Sequence, residues 1–369
     1  MNAINILIKP SSSACGLRCK YCFYHSLAEH REKFFKGMMA EETMKHLIAR
    51  CFESPARMIG FAFQGGEPTT IGLKFFQEFV QEVKLQNKKH PYTKVQYSLQ
   101  TNGMNLDAEW CSFLKANNFL VGISLDGYKS IHDYYRVDAK GTPTFSKVIN
   151  ATKLLDKYGV DYNILSVITN QLCAHTGKIY RFFRKRGYRF LQFIPCLSEY
   201  NNEESEYALT SYNYKKFLLE IFRVWIKDYR KGVYISIRHI DNLAMQIMGR
   251  MPELCGANGK CNLQFVVEGD GSVYPCDFYC TDEYLLGNVN ESSLSELSQT
   301  AVAKAFLKRV GHPSECNLCK HRSFCDSGCK RHYIERDGKK FNRYCDAYKE
   351  YFDYAVPLLK EMMGGVRHD

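Results

Sequence analysis

The segment SSSACGLRCKYCFYHS, residues 11–26, places three cysteines within eight residues, directly after an apolar run typical of a β-strand. Cys15, Cys19 and Cys22 offer three soft thiolates on one loop, a donor set that suits zinc or an iron–sulfur cluster rather than magnesium or calcium. A structural zinc site needs four ligands, and His25 is the only close candidate for the fourth. Three ligands favour a 4Fe-4S cluster with one open iron; thiols that simply pack are the alternative.

This loop belongs to a repeated alternation of strand-like runs and amphipathic helical stretches. Helices are predicted around residues 41–52, 72–89 and 107–117. The alternation predicts a parallel α/β sheet with right-handed crossovers, either an open doubly wound sheet or an incomplete barrel. The six strand-like runs are INILIKP, MIGFAFQGG, KVQYSLQTNG, FLVGISLDG, YNILSVITN and FLQFIPCL.

Unusual residues follow the first four of these runs, at the point where each predicted strand ends. The cysteine loop follows the first run. The segment QGGEP (64–68) follows the second run, and TNG (101–103) follows the third. Ser124, Asp126 and Gly127 follow the fourth run. In both candidate arrangements the carboxyl ends of parallel strands form the site. We therefore expect these segments to meet.

Composition limits the possible functions. The chain has 369 residues and 16 cysteines. A chain of this length buries a core without disulfides, so metal or redox chemistry explains the cysteines better. The start of the chain shows no secretory leader, and no apolar run approaches the ~18 residues of a membrane span, which predicts a cytoplasmic protein without membrane association. The net charge of +11 is spread along the chain, and no nucleic-acid-binding module accompanies it, so no nucleic acid is expected.

After about residue 235 the pattern changes to short strands, turns and frequent cysteines, followed by a helical stretch over 344–363. We therefore predict two domains, 1–235 and 236–369. FVVEGDGSVYPC (265–276) predicts a hairpin that turns at GDG. Eight cysteines can bind two four-thiolate clusters. A zinc ribbon on Cys316, Cys319, Cys325 and Cys329 is the alternative, but it leaves no role for Cys255, Cys261, Cys276 and Cys345.

The C-x3-C-x2-C loop, with Tyr21 before its last cysteine and a strand before its first, resembles that of the radical S-adenosylmethionine (SAM) superfamily. The resemblance implies an incomplete (β/α)6 barrel, in which Cys15, Cys19 and Cys22 hold a cluster whose open iron binds SAM and whose electron cleaves it to a 5′-deoxyadenosyl radical. The segment from Gly65 to Pro68 is similar to the family's GGEP segment, which holds the methionine amino group. The cofactor-binding residues so implied are Tyr21, Gly65, Gly66 and Glu67. By their position in the sequence, Ser124 and Arg136 are further candidates that can reach the SAM carboxylate, and Arg136 is equally consistent with a surface arginine.

The later cysteines are similar in spacing to the SPASM extension, a cysteine-rich auxiliary cluster domain. The resemblance implies two auxiliary clusters, which makes three 4Fe-4S clusters in all. One auxiliary cluster takes Cys255, Cys261, Cys276 and Cys329; the other takes Cys316, Cys319, Cys325 and Cys345.

Three further residues, together with LIKP before the first cysteine, resemble the anaerobic sulfatase-maturating enzymes over essentially the whole chain. Tyr24 lies beside the cluster loop, Gln64 precedes the GGEP segment, and Asp277 follows a cluster ligand. The resemblance implies oxidation of a Cys or Ser in an unfolded sulfatase to formylglycine, with Asp277 as base and Tyr24 and Gln64 at the substrate. It also implies an external one-electron donor such as flavodoxin or ferredoxin. Asp277 as a hydrogen-bonding support of the cluster loop is the alternative.

Two other functions remain open at this point. A SPASM maturase that crosslinks or epimerises a ribosomally made peptide would share all three clusters. A cluster-bearing electron carrier without its own substrate is disfavoured, because it needs neither the GGEP segment nor an open iron.

Overall fold

The computed structural model describes residues 3–200, 206–308, 314–336 and 338–364. The strands are β1 (Ala3–Ile8), β2 (Met58–Phe63), β3 (Lys94–Thr101), β4 (Phe119–Ser124), β5 (Tyr162–Ile168), β6 (Phe190–Pro195), β7 (Ser236–Ile237), β8 (Val266–Val267), β9 (Ser272–Tyr274), β10 (Gly287–Asn288), β11 (Tyr333–Arg336) and β12 (Lys339–Asn342). The helices are α1 (Phe23–Glu29), α2 (Glu41–Phe52), α3 (Leu73–Asn87), α4 (Ala108–Ala116), α5 (Lys129–Tyr135), α6 (Phe145–Tyr158), α7 (Asn170–Cys173), α8 (Thr176–Lys185), α9 (Ser211–Tyr229), α10 (Arg238–Ile247), α11 (Leu294–Gln299), α12 (Ala301–Leu307), α13 (Ser314–Asn317), α14 (Arg322–Cys325) and α15 (Cys345–Gly364).

The chain folds into two compact units that are not consecutive in sequence. Unit 1 comprises Met1–Leu125, His132–Asn163 and Asn262–Lys308, and unit 2 comprises Asp126–Ile131, Ile164–Cys261 and Arg309–Asp369. The division falls inside β5, so neither unit corresponds to one of the two predicted sequence domains. The predicted domain boundary at residue 235 divides the chain by sequence composition and not by these units, and it stays a prediction.

Unit 1 contains the parallel strands β1 to β4 in sequential order. Ile6 pairs with Phe61, Phe61 with Tyr97, and Leu99 with Val121. These pairings confirm the predicted parallel sheet and bring the carboxyl ends of the four strands to one edge. The segments that follow β1, β2 and β3 therefore lie together, as alternation of strands and helices requires.

A hairpin occupies the outer edge of β1. β8 runs parallel to β1, with Ile8 opposite Val267, and it pairs in antiparallel fashion with β9. The turn between them confirms the predicted hairpin: the Gly271 N–H donates to the Glu268 carbonyl at 3.0 Å, and Gly271 has a φ of +85°. Because β1 carries β2 on one edge and β8 on the other, it has no edge left to close a barrel. The barrel is therefore incomplete, as predicted.

Aromatic side chains fill the core between the unit 1 sheet and its helices. In α3 the buried residues follow helical spacing, with Phe76, Phe79 and Val83 among them. Phe79 contacts Phe63 of β2 with ring centroids 4.9 Å apart, and Phe76 contacts Trp110 of α4 at 5.1 Å. This packing fixes the positions of the strand ends that carry the site.

Unit 2 contains the larger part of β5 (164–168), which runs parallel to β6, together with β7 and the antiparallel pair β11 and β12. The rings of Tyr214 in α9 and Tyr344, which precedes α15, lie 4.8 Å apart. Phe222 of α9 packs against Tyr351 of α15 at 6.1 Å. Helix α15 confirms the helix predicted over 344–363.

Candidate active site

The first three cysteines lie on the loop between β1 and α1. Cys22 is exposed, whereas Cys15 and Cys19 are half-buried. Cys22 precedes the first residue of α1, and its N–H donates to the Cys19 carbonyl at 3.1 Å. This turn holds the backbone of the last two cysteines close together.

Three N–H groups are directed at the thiols of this loop. The Leu17 N–H lies 3.3 Å from the Cys15 Sγ, and the Asn102 side-chain amide lies 3.8 Å from the same atom. The Arg136 guanidinium lies 4.0 Å from the Cys19 Sγ. Hydrogen bonds to sulfur are one of the ways in which proteins tune iron–sulfur clusters.

The environment of Cys15 favours its neutral thiol. Burial raises the pKa of the Cys15 thiol to about 11, and the nearby Glu67 carboxylate and Cys22 thiol act in the same direction against the Leu17 N–H. Binding of iron must therefore release protons from the loop. Three soft donors with N–H groups directed at two of them fit a 4Fe-4S cluster.

The backbone of the GGEP segment pairs with this loop. The Gly66 N–H donates to the Ser12 carbonyl at 2.9 Å, and the Glu67 N–H donates to the Ala14 carbonyl at 2.8 Å. A Cβ atom on Gly66 would lie 2.3 Å from the Ala14 oxygen. Glycine is therefore required at position 66, because only hydrogen fits between the two backbones.

The Glu67 carboxylate connects the ends of β2 and β3. Its Oε1 accepts from the Thr69 N–H at 3.1 Å and from the hydroxyls of Thr69 and Thr101, each at 2.7 Å. Its Oε2 accepts from the Asn102 N–H at 2.8 Å. Burial raises the pKa of Glu67, and these donors oppose that effect. In the structure Glu67 holds neighbouring loops in place, and a direct contact with the SAM amino group stays a prediction.

We expect Glu67→Ala to weaken both the fold and SAM binding, because it leaves two hydroxyls and two N–H groups buried without an acceptor. Each such group costs about 1–3 kcal/mol, so the free energy of unfolding should fall by about 3 kcal/mol or more. Anaerobic urea unfolding and equilibrium dialysis with SAM measure the two effects. Glu296→Ala is the control, since this exposed carboxylate caps α11 through Ser293 and its loss should lower the free energy of unfolding much less. Equal unfolding free energies for the two variants would contradict the assigned role.

Asp277 follows Cys276 directly and begins a short 3-10 helix. Its Oδ1 lies 2.6 Å from the Lys9 Nζ, and its Oδ2 accepts from the Gln64 side-chain amide at 2.8 Å. Its N–H donates to the Gln264 side chain at 3.1 Å. Its side chain is 16% exposed, and each carboxylate oxygen has a second lone pair. The structure thus brings together two predicted site residues, Asp277 and Gln64.

Tyr24, the other residue predicted at the substrate, is buried. Its hydroxyl donates to the Glu268 carboxylate, and the Lys9 Nζ lies 3.6 Å from the centroid of its ring. Burial and then the Glu268 charge raise the pKa of Tyr24 well above its usual value. The hydroxyl is engaged within the protein, so contact between Tyr24 and a substrate stays a prediction.

Sequence reasoning missed three charged residues that surround these groups. Lys9, Arg31 and Glu268 are buried, and the Arg31 Nη1 lies 3.0 Å from the Glu268 Oε1. The signal that could have found two of them is a charge at the end of an apolar run: Lys9 follows β1 and Glu268 follows β8. Arg31 carries no such signal.

Two residues assigned by position to the SAM carboxylate lie in different surroundings. The Ser124 hydroxyl, at the end of β4, accepts from the Gln100 side-chain amide at 3.1 Å. Arg136 is buried, and its guanidinium lies 5.5 Å from the centroid of the Tyr21 ring. The alternative of a surface arginine is therefore wrong, while SAM binding by both residues stays a prediction.

Four cysteines of unit 2 lie close to one another. Burial raises the pKa of the Cys325 thiol to about 12, and the neighbouring Cys345, Cys316 and Cys319 act in the same direction. The Ser327 hydroxyl donates to the Cys316 Sγ at 3.1 Å. These four cysteines form one group.

Cys329 belongs to a second group. Burial raises the pKa of its thiol to about 11, and the neighbouring thiols are Cys255 and Cys261. A zinc ribbon would instead need Cys329 beside Cys325. Cys276 is part of unit 1, so its membership of this second group rests on the sequence resemblance alone.

The backbone explains why Cys325 and Cys329 separate although they are four residues apart. The three residues after Cys325 all have positive φ: Asp326, Ser327 and Gly328, at 43°, 75° and 71°. The chain between the two cysteines is therefore not helical.

Among the residues that the structure describes, no three His, Cys, Asp or Glu side chains are placed to bind one single metal ion. A 4Fe-4S cluster has a different requirement, because each thiolate binds a different iron.

Comparison with known proteins agrees with these features. Residues 10–176 match the radical SAM superfamily, and residues 259–321 match the SPASM iron–sulfur cluster-binding domain. The chain is 31% identical over 356 residues to the serine-type anaerobic sulfatase-maturating enzyme of Klebsiella aerogenes, covering 96% of this chain and 86% of that enzyme.

Two further proteins are more similar to this chain. A solved structure described as native anSMEcpe with bound AdoMet and Kp18Cys peptide superimposes with a TM-score of 0.93 at 41% identity, covering 99% of this chain and 100% of that one. The cysteine-type anaerobic sulfatase-maturating enzyme of Clostridium novyi is 43% identical over 364 residues, which cover 97% of each chain. Identity at this level over nearly the whole of both chains shows that the protein belongs to the anaerobic sulfatase-maturating enzymes, a family of radical SAM proteins with a SPASM extension.

Proposed function

We propose that the protein oxidises a cysteine of an unfolded sulfatase segment to formylglycine under anaerobic conditions. The observation that carries this proposal is the Asp277 carboxylate, which Lys9 and Gln64 hold in place directly after Cys276. Oxidation of a cysteine to a thioaldehyde removes a hydrogen atom from Cβ, a proton from the thiol and one further electron. A proton acceptor attached to the ligand of an auxiliary cluster suits that requirement.

The family's cofactors would supply two parts of the reaction: SAM, held at the cluster of Cys15, Cys19 and Cys22, would provide the radical that hydrogen abstraction from the target Cβ needs, and an auxiliary cluster would provide the acceptor for the last electron. Asp277 takes the thiol proton as general base. Lys9 and Gln64 each hold one of its two oxygens and so fix the orientation of the carboxylate. The thioaldehyde product hydrolyses to formylglycine and releases hydrogen sulfide.

We assign three 4Fe-4S clusters to the chain. We assign Cys15, Cys19 and Cys22 to the SAM cluster. The half-buried position of two of these thiols and the N–H donors directed at the loop support this assignment. The two cysteine groups of unit 2 support the auxiliary clusters. The ligands of these are Cys316, Cys319, Cys325 and Cys345 for one, and Cys255, Cys261 and Cys329 with Cys276 for the other.

We infer a cysteine rather than a serine as the preferred target. The chain is 43% identical to a cysteine-type relative and 31% identical to a serine-type one. The first electron must come from outside the chain, and we propose a one-electron donor such as flavodoxin or ferredoxin. No helix in the described parts of the chain is long and apolar enough to cross a membrane. A cytoplasmic location stays a prediction from the sequence.

The test is an anaerobic assay of the reconstituted, reduced enzyme with SAM and a sulfatase-like peptide that contains Cys-x-Pro-x-Arg. We expect the peptide to lose about 18 Da, the difference between CH–SH and C=O, with reduced flavodoxin as the electron source. A matched peptide with Ala at the target position should remain unchanged. If the cysteine peptide also remains unchanged while a short ribosomal precursor is crosslinked or epimerised, the peptide-maturase function replaces this one.

A further inference from the structure

Lys9 follows β1 and is fully buried. Its N–H donates to the Val267 carbonyl of β8 at 2.8 Å, which fixes its backbone. Its Nζ lies 2.6 Å from Asp277, 3.6 Å from the Tyr24 ring centroid and 4.0 Å from Glu268. The ammonium therefore has an anion on two sides and an aromatic face on a third.

The buried charges around Lys9 are balanced. Lys9 and Arg31 carry two positive charges, and Asp277 and Glu268 carry two negative ones. Burial alone disfavours a charged lysine, whereas Asp277 and Glu268 favour it, and the net result is that the pKa of Lys9 is raised. A desolvated ion pair needs accurate geometry to be stable, so the position of each partner is closely constrained.

The GGEP segment leaves room for this lysine. A Cβ atom on Gly65 would lie 2.9 Å from the Lys9 Cγ, and Gly65 has a φ of +121°, which favours glycine. The next residue, Gly66, pairs with the SAM-cluster loop. The dipeptide Gly65-Gly66 thus packs against the aliphatic part of the Lys9 side chain and against the loop that carries the first three cysteines.

The two groups that hold Asp277 come from neighbouring points of the sheet. The Gln64 N–H donates to the Ile8 carbonyl at 2.9 Å, and Lys9 is the residue after Ile8. Lys9 binds Oδ1 of Asp277, and Gln64 binds Oδ2. With both oxygens fixed, the orientation of the carboxylate is set by the adjacent ends of β1 and β2.

We propose that Lys9 is a positioning residue for the reaction, which acts through Asp277 by fixing the carboxylate so that it can accept the proton of the target thiol. The inference rests on the proposed function, because Asp277 is the base only in that reaction. Lys9 is fully buried, so its ammonium has no exposed surface with which to contact a substrate. Its loss should leave hydrogen abstraction in place and uncouple it from product formation, since a small misplacement of a catalytic group can cost ~100-fold in rate.

The test is Lys9→Met, which removes the ammonium and keeps an unbranched side chain. Iron, 5′-deoxyadenosine and formylglycine are measured in one anaerobic assay. We expect full iron, continued deoxyadenosine release and a ratio of deoxyadenosine to formylglycine that rises about 10–100-fold. The kcat for the peptide should fall while its KM stays within about twofold, because no substrate contact is lost.

Lys45→Met is the matched control. Lys45 lies 2.6 Å from Glu41, the same distance as in the Lys9 pair, but both side chains are exposed. Its loss should leave iron, the product ratio and kcat unchanged, since exposed pairs contribute little.

A double variant separates positioning from folding. Lys9→Met leaves one negative charge in excess in a buried site, which can lower the iron content through instability. Lys9→Met with Glu268→Gln restores the balance between Arg31 and Asp277. An elevated product ratio in the iron-replete double variant supports the proposal.

Two outcomes overturn it: a wild-type product ratio in either iron-replete variant, or iron loss in both variants, which would make Lys9 a purely structural residue. Failure of the wild-type enzyme to form any formylglycine refutes the proposed function instead.

Discussion

Replacement of Cys15, Cys19 and Cys22 together by Ala should abolish reductive cleavage of SAM and remove about a third of the iron, from roughly twelve to eight atoms per chain. The three thiols lie on one loop between β1 and α1, and the structure groups the later cysteines separately. The auxiliary clusters should therefore survive. Iron analysis, the visible spectrum and deoxyadenosine release after anaerobic reconstitution measure the effect.

A control variant, Cys51→Ala with Cys111→Ala, removes thiols that cannot reach a cluster. Both cysteines are fully buried, in α2 and α4. This variant should keep all of its iron and its SAM cleavage, with a modest loss of stability from the two small cavities. Reductive SAM cleavage by the triple variant would contradict the assignment of the first loop.

The second large effect is expected for Asp277→Asn. The amide keeps the shape of the side chain and an acceptor oxygen for Lys9, but it cannot take a proton. Formylglycine should fall by about 10²–10⁴-fold, while iron content and deoxyadenosine release persist, because hydrogen abstraction does not need the base. Iron, deoxyadenosine and formylglycine in one anaerobic assay give all three values.

The alternative role of Asp277, support of the loop that carries Cys276, makes a different prediction. Asp277→Asn would then lower the iron content or change the spectrum of an auxiliary cluster. Asp282→Asn is the control on the same segment, since its carboxylate accepts from the Glu32 N–H at 2.7 Å away from the proposed base. It should leave product formation unchanged. Full iron with near-normal product in Asp277→Asn would exclude Asp277 as the base.

The elements of the fold were predictable because their signals are local. The helix predicted over 41–52 is α2, and the helix predicted over 72–89 is α3 with its ends shortened to Leu73–Asn87. Apolar periodicity sets such elements, and helix ends fray or are capped within one or two residues. The turn GDG was recognisable because the positive φ that Gly271 adopts favours glycine.

The partners within the site were not predictable in the same way. Glu67 was identified through its motif as a residue that holds SAM, whereas the structure shows its carboxylate occupied by Thr69, Thr101 and Asn102. These contacts form because β2 and β3 are adjacent strands whose ends meet. A motif identifies the residue, but its hydrogen bonds depend on which strand lies beside it.

The sequence by itself determined that this chain carries an open-iron cluster loop, a parallel α/β sheet and further cysteines for auxiliary clusters, because spacing and periodicity are properties of short segments. Only the tertiary structure decided that Lys9, Gln64 and Asp277 meet at one carboxylate. The same holds for Glu268 and Arg31, which are 237 residues apart. Burial of such charges is costly unless they are paired, and pairing across that separation is settled only when β8 adds to the edge of β1.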